Sequence, residues 1–421
     1  MRRRAKNENE DENKEDAGLG TRGVWAGEKG KHWQGATQIP VALSVSFGYD
    51  NVNEWLKVAQ GKAPGHIYSR NSNPTVAAFE EKIRNLETAE AATSFSSGMG
   101  AISNTLFALL SPGDRVVSIH DTYGGTNKLF VEFLPRFGIN VSLCDTNDHN
   151  AIEAAIRRGC NAVYLESPTN PTVKVVDLAR LAAVAHRPAA AHRGRAVVIV
   201  DNTLATPINQ QPLKLGADLV IHSATKFLGG HADALGGVVC GAADLVRRIY
   251  HFREITGACL DPMAAYLLLR GMKTLHLRIA RQNESALKIA RFLESHPQVI
   301  KVFYPGLESH DHHEIARRQM RGFGGVLSFA LRGGFDAVKV FLPHLHYAHL
   351  AANLGAVETV AGPPATTSHV ESSKEERAAS GIPEALIRYS IGIEDTEDLI
   401  ADLGQALVKT LPKKGRARSR S

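Results

Sequence analysis

Cysteine is scarce in this chain. The four present, Cys144, Cys160, Cys240 and Cys259, show no CxxC spacing and lie in or beside apolar segments. That excludes a disulfide framework and reads as reduced core thiols. Long apolar runs are missing too: the longest are strand-sized, so no membrane span is expected. Neither GxxxxGK(S/T) nor GxGxxG occurs, which removes a Walker loop and a dinucleotide fingerprint. Two histidine clusters, His310, His312, His313 and His344, His346, His349, do not combine HExxH spacing with a third ligand. They read as surface or crevice histidines, and no metal is expected. The opening MRRRAKNENEDENKEDAG is too charged for a secretory signal and too acidic for a transit peptide, which leaves a disordered arm (1–18) and a cytoplasmic protein as the expectation.

A strong charge imbalance is also lacking. The formal charge is +6, but Lys413, Lys414, Arg416, Arg418 and Arg420 all lie in the tail 412–421, and without them the body is about +1. The tail reads as a solvated, disordered end, so nucleic-acid binding is not expected. The 421 residues, 43% hydrophobic and 22% charged, suffice for a large core and for two domains.

Against these absences stands DLVIHSATKFLGGHADALGG (218–237), where Lys226 sits just beyond an apolar strand and between hydroxyls. A lysine there can condense with an aldehyde cofactor. Ser223 and Thr225 flank it at spacings that let both hydroxyls reach a phosphate, and Gly229, Gly230, Gly236 and Gly237 let the chain turn closely around a ligand. Together they suggest pyridoxal phosphate, although a lone lysine is as often a surface residue. Three more segments bear on the choice. AVVIVDNTLATP (196–207) reads as a buried strand ending in Asp201, a carboxylate suited to keeping a cofactor ring nitrogen protonated, or else a turn acid. TSFSSGMGAISNTLFALLSPGD (93–114) leads small residues into the helical pattern Ile102, Leu106, Leu109, Leu110. The N–H groups of Gly98 and Met99 and the Ser97 hydroxyl would face a phosphate there. In HDTYGGTNKLF, Tyr123 follows the strand RVVSI and can lie on a cofactor ring and serve in proton transfer. All four features fall at strand ends, where α/β sheets bind ligands.

The strands RVVSI, NVSLC, NAVYLE, AVVIVD, DLVIHS and GGVVC alternate with helix-length pieces such as NAIEAAIRR and DLARLAAVAHR, the rhythm of a mostly parallel sheet. HRPAAAHRGR (186–195) reads as a surface loop. The stretch 261–296 reads as a long amphipathic helical bridge into a smaller C-terminal domain containing VLSFAL and LIRYSIG.

The ordered segments YSRNSNPT (68–75), SSGMGA (96–101), TYGGT (122–126), LESPTNP (165–171), VDNT (200–203), HSATKFLGGH (222–231), RGMKTL (270–275), FYPGL (303–307) and IRYSIGIED (387–395) resemble the Cys/Met-metabolism family of pyridoxal-phosphate enzymes, from about residue 20 to 411. The family includes cystathionine γ-synthases and γ-lyases, methionine γ-lyases and acylhomoserine sulfhydrylases. The resemblance implies an aminotransferase-like α/β fold (fold type I) with a mostly parallel seven-stranded sheet in a large domain (66–270) and a smaller C-terminal α/β domain (271–411). An N-terminal arm (19–65) would contribute to a neighbouring subunit. It further implies pyridoxal 5'-phosphate bound covalently at Lys226, with Asp201 on the ring nitrogen, Tyr123 stacked on the ring, and Ser97, Gly98, Met99, Ser223 and Thr225 at the phosphate. Tyr68 and Arg70 would reach that phosphate from a neighbouring subunit, which implies at least a dimer and a homotetramer of two such dimers. Asn170 would bond the ring hydroxyl with Glu166 in support, and Arg388, which by itself reads as a surface residue, would clamp the substrate carboxylate near Asn353.

Such a site shuttles protons between Cα and Cβ of a homoserine-derived amino acid and C4′ of the cofactor, with Lys226, Tyr123 and Tyr68 as the expected catalytic groups. Departure of a group from Cγ then ends in replacement by a thiol or in elimination to a 2-oxo acid. The fold does not choose between them. Gly125 stands where methionine γ-lyases typically carry cysteine, Ala352 where cystathionine-using relatives often carry an acid, and Asn353 replaces a usual serine. The stretch 252–278 looks most like plant-type cystathionine γ-synthases. γ-Replacement on an activated homoserine by cysteine is therefore the expectation, with γ-elimination from cystathionine or methionine as the alternative. A catalytically idle, nucleic-acid-associated cofactor binder is disfavoured by the intact Lys226, Asp201, Tyr123 and Arg388.

Overall fold

The computed structural model describes residues 17–28, 35–187, 195–367, 377 and 381–411. The first sixteen residues of the charged arm, most of the loop 186–195 and the basic tail 412–421 lie outside the described residues.

Seven short strands form the larger sheet: β1 (Ala91–Phe95), β2 (Arg115–Ile119), β3 (Asn140–Cys144), β4 (Ala162–Glu166), β5 (Val197–Asp201), β6 (Leu219–Ser223) and β7 (Gly237–Gly241), in the order β1-β7-β6-β5-β4-β2-β3. Only β7 runs antiparallel to its neighbours, β1 and β6. β4 and β7 are buried throughout, which is why these strands are apolar runs without alternation. On one face the sheet packs under the helices Gly98–Leu109 and Ala243–Thr256; on the other lie His149–Arg157 and Leu178–Ala185.

The six strands expected from the sequence are present within one residue of their expected ends. β1 is an addition. Its sequence AATSF has little apolar character, and it becomes a strand through its five-residue pairing with β7. The bridging stretch is two helices, Pro262–Met272 and Leu275–Ser295. The break follows Gly271, where a Cβ would lie 2.0 Å from the Gly229 carbonyl oxygen, so helix and loop backbone touch.

The smaller sheet comprises β8 (Val299–Phe303), β9 (Val326–Leu331), β10 (His349–Leu350), β11 (Val360–Gly362) and β12 (Leu386–Ser390), in the order β10-β11-β12-β9-β8. Phe329, Phe341, Tyr389 and Leu403 are buried at its core, beneath the helices Leu275–Ser295, Gly334–Phe341 and Thr396–Lys409. VLSFAL and LIRYS are β9 and β12. Among the described residues no helix is long and apolar enough to cross a membrane.

The histidine clusters divide. His346 and His349 are exposed, whereas His310 and His312 are buried, the Nδ1 of His312 accepting the Val175 N–H at 3.1 Å. Burial pulls His310 down to about 4, with His312 adding to the shift, so both rings are neutral packing elements at neutral pH.

Candidate active site

A cavity of about 280 Å³ opens at the C-terminal ends of β4, β5 and β6. It is lined by Ser97, Gly98, Met99, Tyr123, Glu166, Asn170, Asp201, Ser223, Thr225, Lys226, Asn353 and Arg388, bringing together the expected catalytic, cofactor and substrate residues except Tyr68 and Arg70. Those two are exposed and elsewhere: the Arg70 guanidinium lies 5.5 Å from the Tyr68 ring centroid and donates to the Glu254 carbonyl.

One wall is the start of the helix Gly98–Leu109. Ser97 has extended backbone angles and its hydroxyl accepts the Gly100 N–H at 3.0 Å, capping the helix. The N–H groups of Gly98 and Met99 are first-turn donors with no acceptor inside the helix. Side chains are excluded at this crossing. A Cβ on Gly98 would lie 2.7 Å from the Ser223 Cβ, and one on Gly237 would lie 2.1 Å from the Ser97 carbonyl oxygen. Thr225 Oγ1 accepts the Gly236 N–H at 3.1 Å, tying the lysine loop to the strand that follows.

Lys226 lies in a tight turn after β6, with its own carbonyl accepting the Gly230 N–H at 2.8 Å. Buried Arg278 supports the turn, donating to the carbonyls of Phe227 (2.7 Å), Leu228 (3.2 Å) and Gly271 (2.8 Å). The Lys226 Nζ donates to Asn353 Oδ1 at 2.8 Å. Burial, reinforced by the Arg388 guanidinium, lowers its pKa to about 8, which makes the amine a far better nucleophile at neutral pH than an exposed lysine.

Arg388, read from sequence alone as a surface residue, is buried in β12. It donates to Asn170 Oδ1 at 3.1 Å and to the Asn353 carbonyl at 2.9 Å. Desolvation lowers its pKa to about 10, so it stays cationic at neutral pH. Opposite the cations are two acids. Glu166 and Asp201 are register partners on β4 and β5, and both are buried. Desolvation drives both carboxyls upward, Glu166 well above the usual range, with the Asp201 charge adding to its shift. Glu166 accepts the Tyr123 N–H at 2.8 Å; Asp201 accepts the Thr203 N–H at 3.0 Å and the Tyr164 hydroxyl at 3.3 Å.

Sequence reasoning missed Thr203 and Tyr164. Thr203 lines the cavity, and its Oγ1 accepts the Ser223 N–H at 2.9 Å. Thr203 lies two residues beyond the end of β5, and Tyr164, two residues before Glu166 in β4, shares its face by strand alternation.

The arrangement suits a phosphorylated pyridine aldehyde. Helix N-terminal donors meet a phosphate, and a neutralisable amine meets an aldehyde. Among the described residues no ion pair reaches Glu166 or Asp201, so a protonated ring nitrogen would relieve a desolvated carboxylate pair.

The sequence model of the Cys/Met metabolism PLP-dependent enzyme family matches residues 20–408. The chain is 44% identical to an L-methionine gamma-lyase of Fusobacterium nucleatum subsp. polymorphum, over 93% of this chain and 98% of that protein. It is 44% identical to an O-succinylhomoserine sulfhydrylase of Pseudomonas aeruginosa, over 82% and 85%. The crystal structure of a cystathionine gamma synthase from Xanthomonas oryzae pv. oryzae in complex with aminoacrylate and cysteine superposes with a TM-score of 0.87, at 36% identity, covering 94% of this chain and 98% of that one.

Proposed function

The chain belongs to the Cys/Met metabolism PLP-dependent enzyme family, and on that premise we propose that it catalyses γ-replacement on an acylated homoserine with cysteine as the incoming thiol. It is a pyridoxal 5'-phosphate-dependent enzyme of γ-replacement and γ-elimination chemistry. When bound, the cofactor supplies a sink for the negative charge that develops at Cα of an amino acid. In our reading the protein does the rest. Gly98, Met99, Ser97, Ser223 and Thr225 hold the phosphate, Asp201 keeps a proton on the ring nitrogen, and Asn170 with Glu166 in support meets the ring hydroxyl. Arg388, with donors left over from Asn170 and Asn353, clamps the substrate carboxylate. Lys226 takes and returns protons at Cα and Cβ, its pKa of about 8 placing it close to the working pH. Tyr123 presents its ring to the cavity from the end of β2.

The observation that favours replacement is Gly125. A Cβ there would lie 2.9 Å from Tyr123 Cε1 and 3.0 Å from Met99 Sδ. The cysteine carried by methionine γ-lyases therefore has no room unless Tyr123 shifts. The second reading, γ-elimination, draws on the 44% identity to a named methionine γ-lyase. Acylhomoserine alone should release 2-oxobutanoate slowly, and added cysteine should divert that flux to cystathionine. Faster cleavage of methionine or cystathionine than conversion of acylhomoserine would sink the replacement reading.

We also propose that the arm 19–65 covers a neighbouring subunit, so that Tyr68 and Arg70 complete its phosphate site in a cytoplasmic homotetramer built from two such dimers. Leu43, Val45, Val52, Trp55 and Leu56 of the arm are exposed, an apolar strip suited to burial against a partner.

A further inference from the structure

Two loops bring groups to the cavity from paired strands, and a salt bridge joins them outside it. One follows β2 and holds Tyr123; the other follows β4 and holds Asn170. The Lys174 Nζ donates to Asp121 Oδ1 at 3.0 Å and to Oδ2 at 2.9 Å. The Asp121 side chain is buried and that of Lys174 mostly so. From beyond the end of β3, the Thr146 hydroxyl donates to the same carboxylate. Neither member of the pair lines the cavity.

What each loop lacks is an internal means of holding its functional group. Tyr123 is 45% exposed, so packing does not fix its ring, which goes where its backbone is held. That backbone is tethered at the Tyr123 N–H, which donates to Glu166 at 2.8 Å, and again two residues earlier at Asp121. In the other loop the Thr169 N–H donates to the Lys174 carbonyl at 2.9 Å, and the Lys174 N–H donates to Thr169 Oγ1 at 3.1 Å. These bonds close the loop 169–174 with Asn170 beside its neck. Val173 within it sits at φ +45°, a left-handed conformation that a β-branched residue keeps only where its surroundings impose it. Lys174 is the end of this strained loop, and its side chain is the part that reaches the Tyr123 loop. Asn170 Oδ1 accepts Arg388 at 3.1 Å, so the position of the loop bears on the carboxylate clamp as well.

We infer that Asp121 and Lys174 are positioning residues: their salt bridge clamps the loop after β2 to the loop after β4 and fixes Tyr123 and Asn170 relative to each other around the cofactor ring. This rests on the reading of Tyr123 as the stacking ring and Asn170 as the partner of the ring hydroxyl. The contact is directional. The ammonium meets both carboxylate oxygens, and the Thr146 hydroxyl keeps the carboxylate from turning with it. A neutral pair of similar size would fill the space without fixing that geometry, and the strained loop would relax, carrying Asn170 with it.

The test compares holoenzyme of wild type, Lys174→Met and the double variant Asp121→Asn with Lys174→Met. The double variant leaves no unpaired buried charge at the site, so it supplies the readout should the single variant fail to fold. The deciding readout is the visible circular dichroism of the lysine-bound cofactor, which follows the angle of the ring within its asymmetric surroundings. Both variants should alter that dichroism, raise the dissociation constant of pyridoxal 5'-phosphate by about tenfold and lower kcat/KM by about 10- to 100-fold. Wild-type dichroism per bound cofactor in the double variant overturns the inference and leaves the pair a packing feature. Tyr123→Ala and Asn170→Ala separate the clamp from the reading beneath it. If these two alter the dichroism and the pair variants do not, only the clamp fails; if they leave it unaltered, the placement of Tyr123 and Asn170 at the ring fails.

Discussion

Replacing Arg388 with lysine keeps the charge and removes the fork. A guanidinium carries five N–H donors. Two are engaged, one on Asn170 Oδ1 at 3.1 Å and one on the Asn353 carbonyl at 2.9 Å, so the remainder is free for a carboxylate. An ammonium in the same buried pocket holds a carboxylate at one point and must abandon at least one internal acceptor. One charge-assisted hydrogen bond is worth about 1.5–3 kcal/mol, which corresponds to a loss of about 10- to 150-fold in kcat/KM. Most of it should appear in KM, because the clamp acts on substrate and transition state alike. Steady-state release of 2-oxobutanoate from acylhomoserine measures it. Cofactor absorption and melting temperature should stay close to wild type. A loss below about threefold with the fold intact would refute the carboxylate clamp.

Lys226→Ala should abolish turnover and the visible absorption of the lysine-bound cofactor, and borohydride reduction of the wild type should label the peptide containing Lys226; a label elsewhere removes that assignment. In the apoprotein, the reaction of Lys226 with unphosphorylated pyridoxal should rise through pH about 8 rather than near 10.5, because burial and Arg388 lower its pKa. For the same reason the unfolded chain binds the extra proton between about pH 8 and 10.5, so this residue's contribution makes the folded apoprotein more stable as pH rises across that window. A reaction midpoint near 10.5 would contradict the buried site. Mixing inactive Arg70→Ala with inactive Lys226→Ala should restore part of the activity if subunits share sites; no recovery after demonstrated exchange counts against the arm's proposed role.

The sequence by itself determined the strands and the positions of their chemical groups, because a doubly covered parallel sheet demands short apolar runs and puts its ligand groups where those runs end. Lys226, Asp201, Ser223, Tyr123 and the glycine crossing at Gly98 were legible in this way. β1 was not, since AATSF owes its strand to pairing with β7. Arg388 and Asn353 meet Lys226 only through folding: Asn353 lies 127 residues from Lys226, and Arg388 lies 218 from Asn170. Nothing local in IRYSIG marks an arginine as buried. His222 and Glu87 are 135 residues apart and silent as a motif. Strand alternation at three neighbouring strand ends sends Glu166, Asp201 and Ser223 toward the cavity and Ser167, Asn202 and His222 beneath it, which only the paired sheet makes visible.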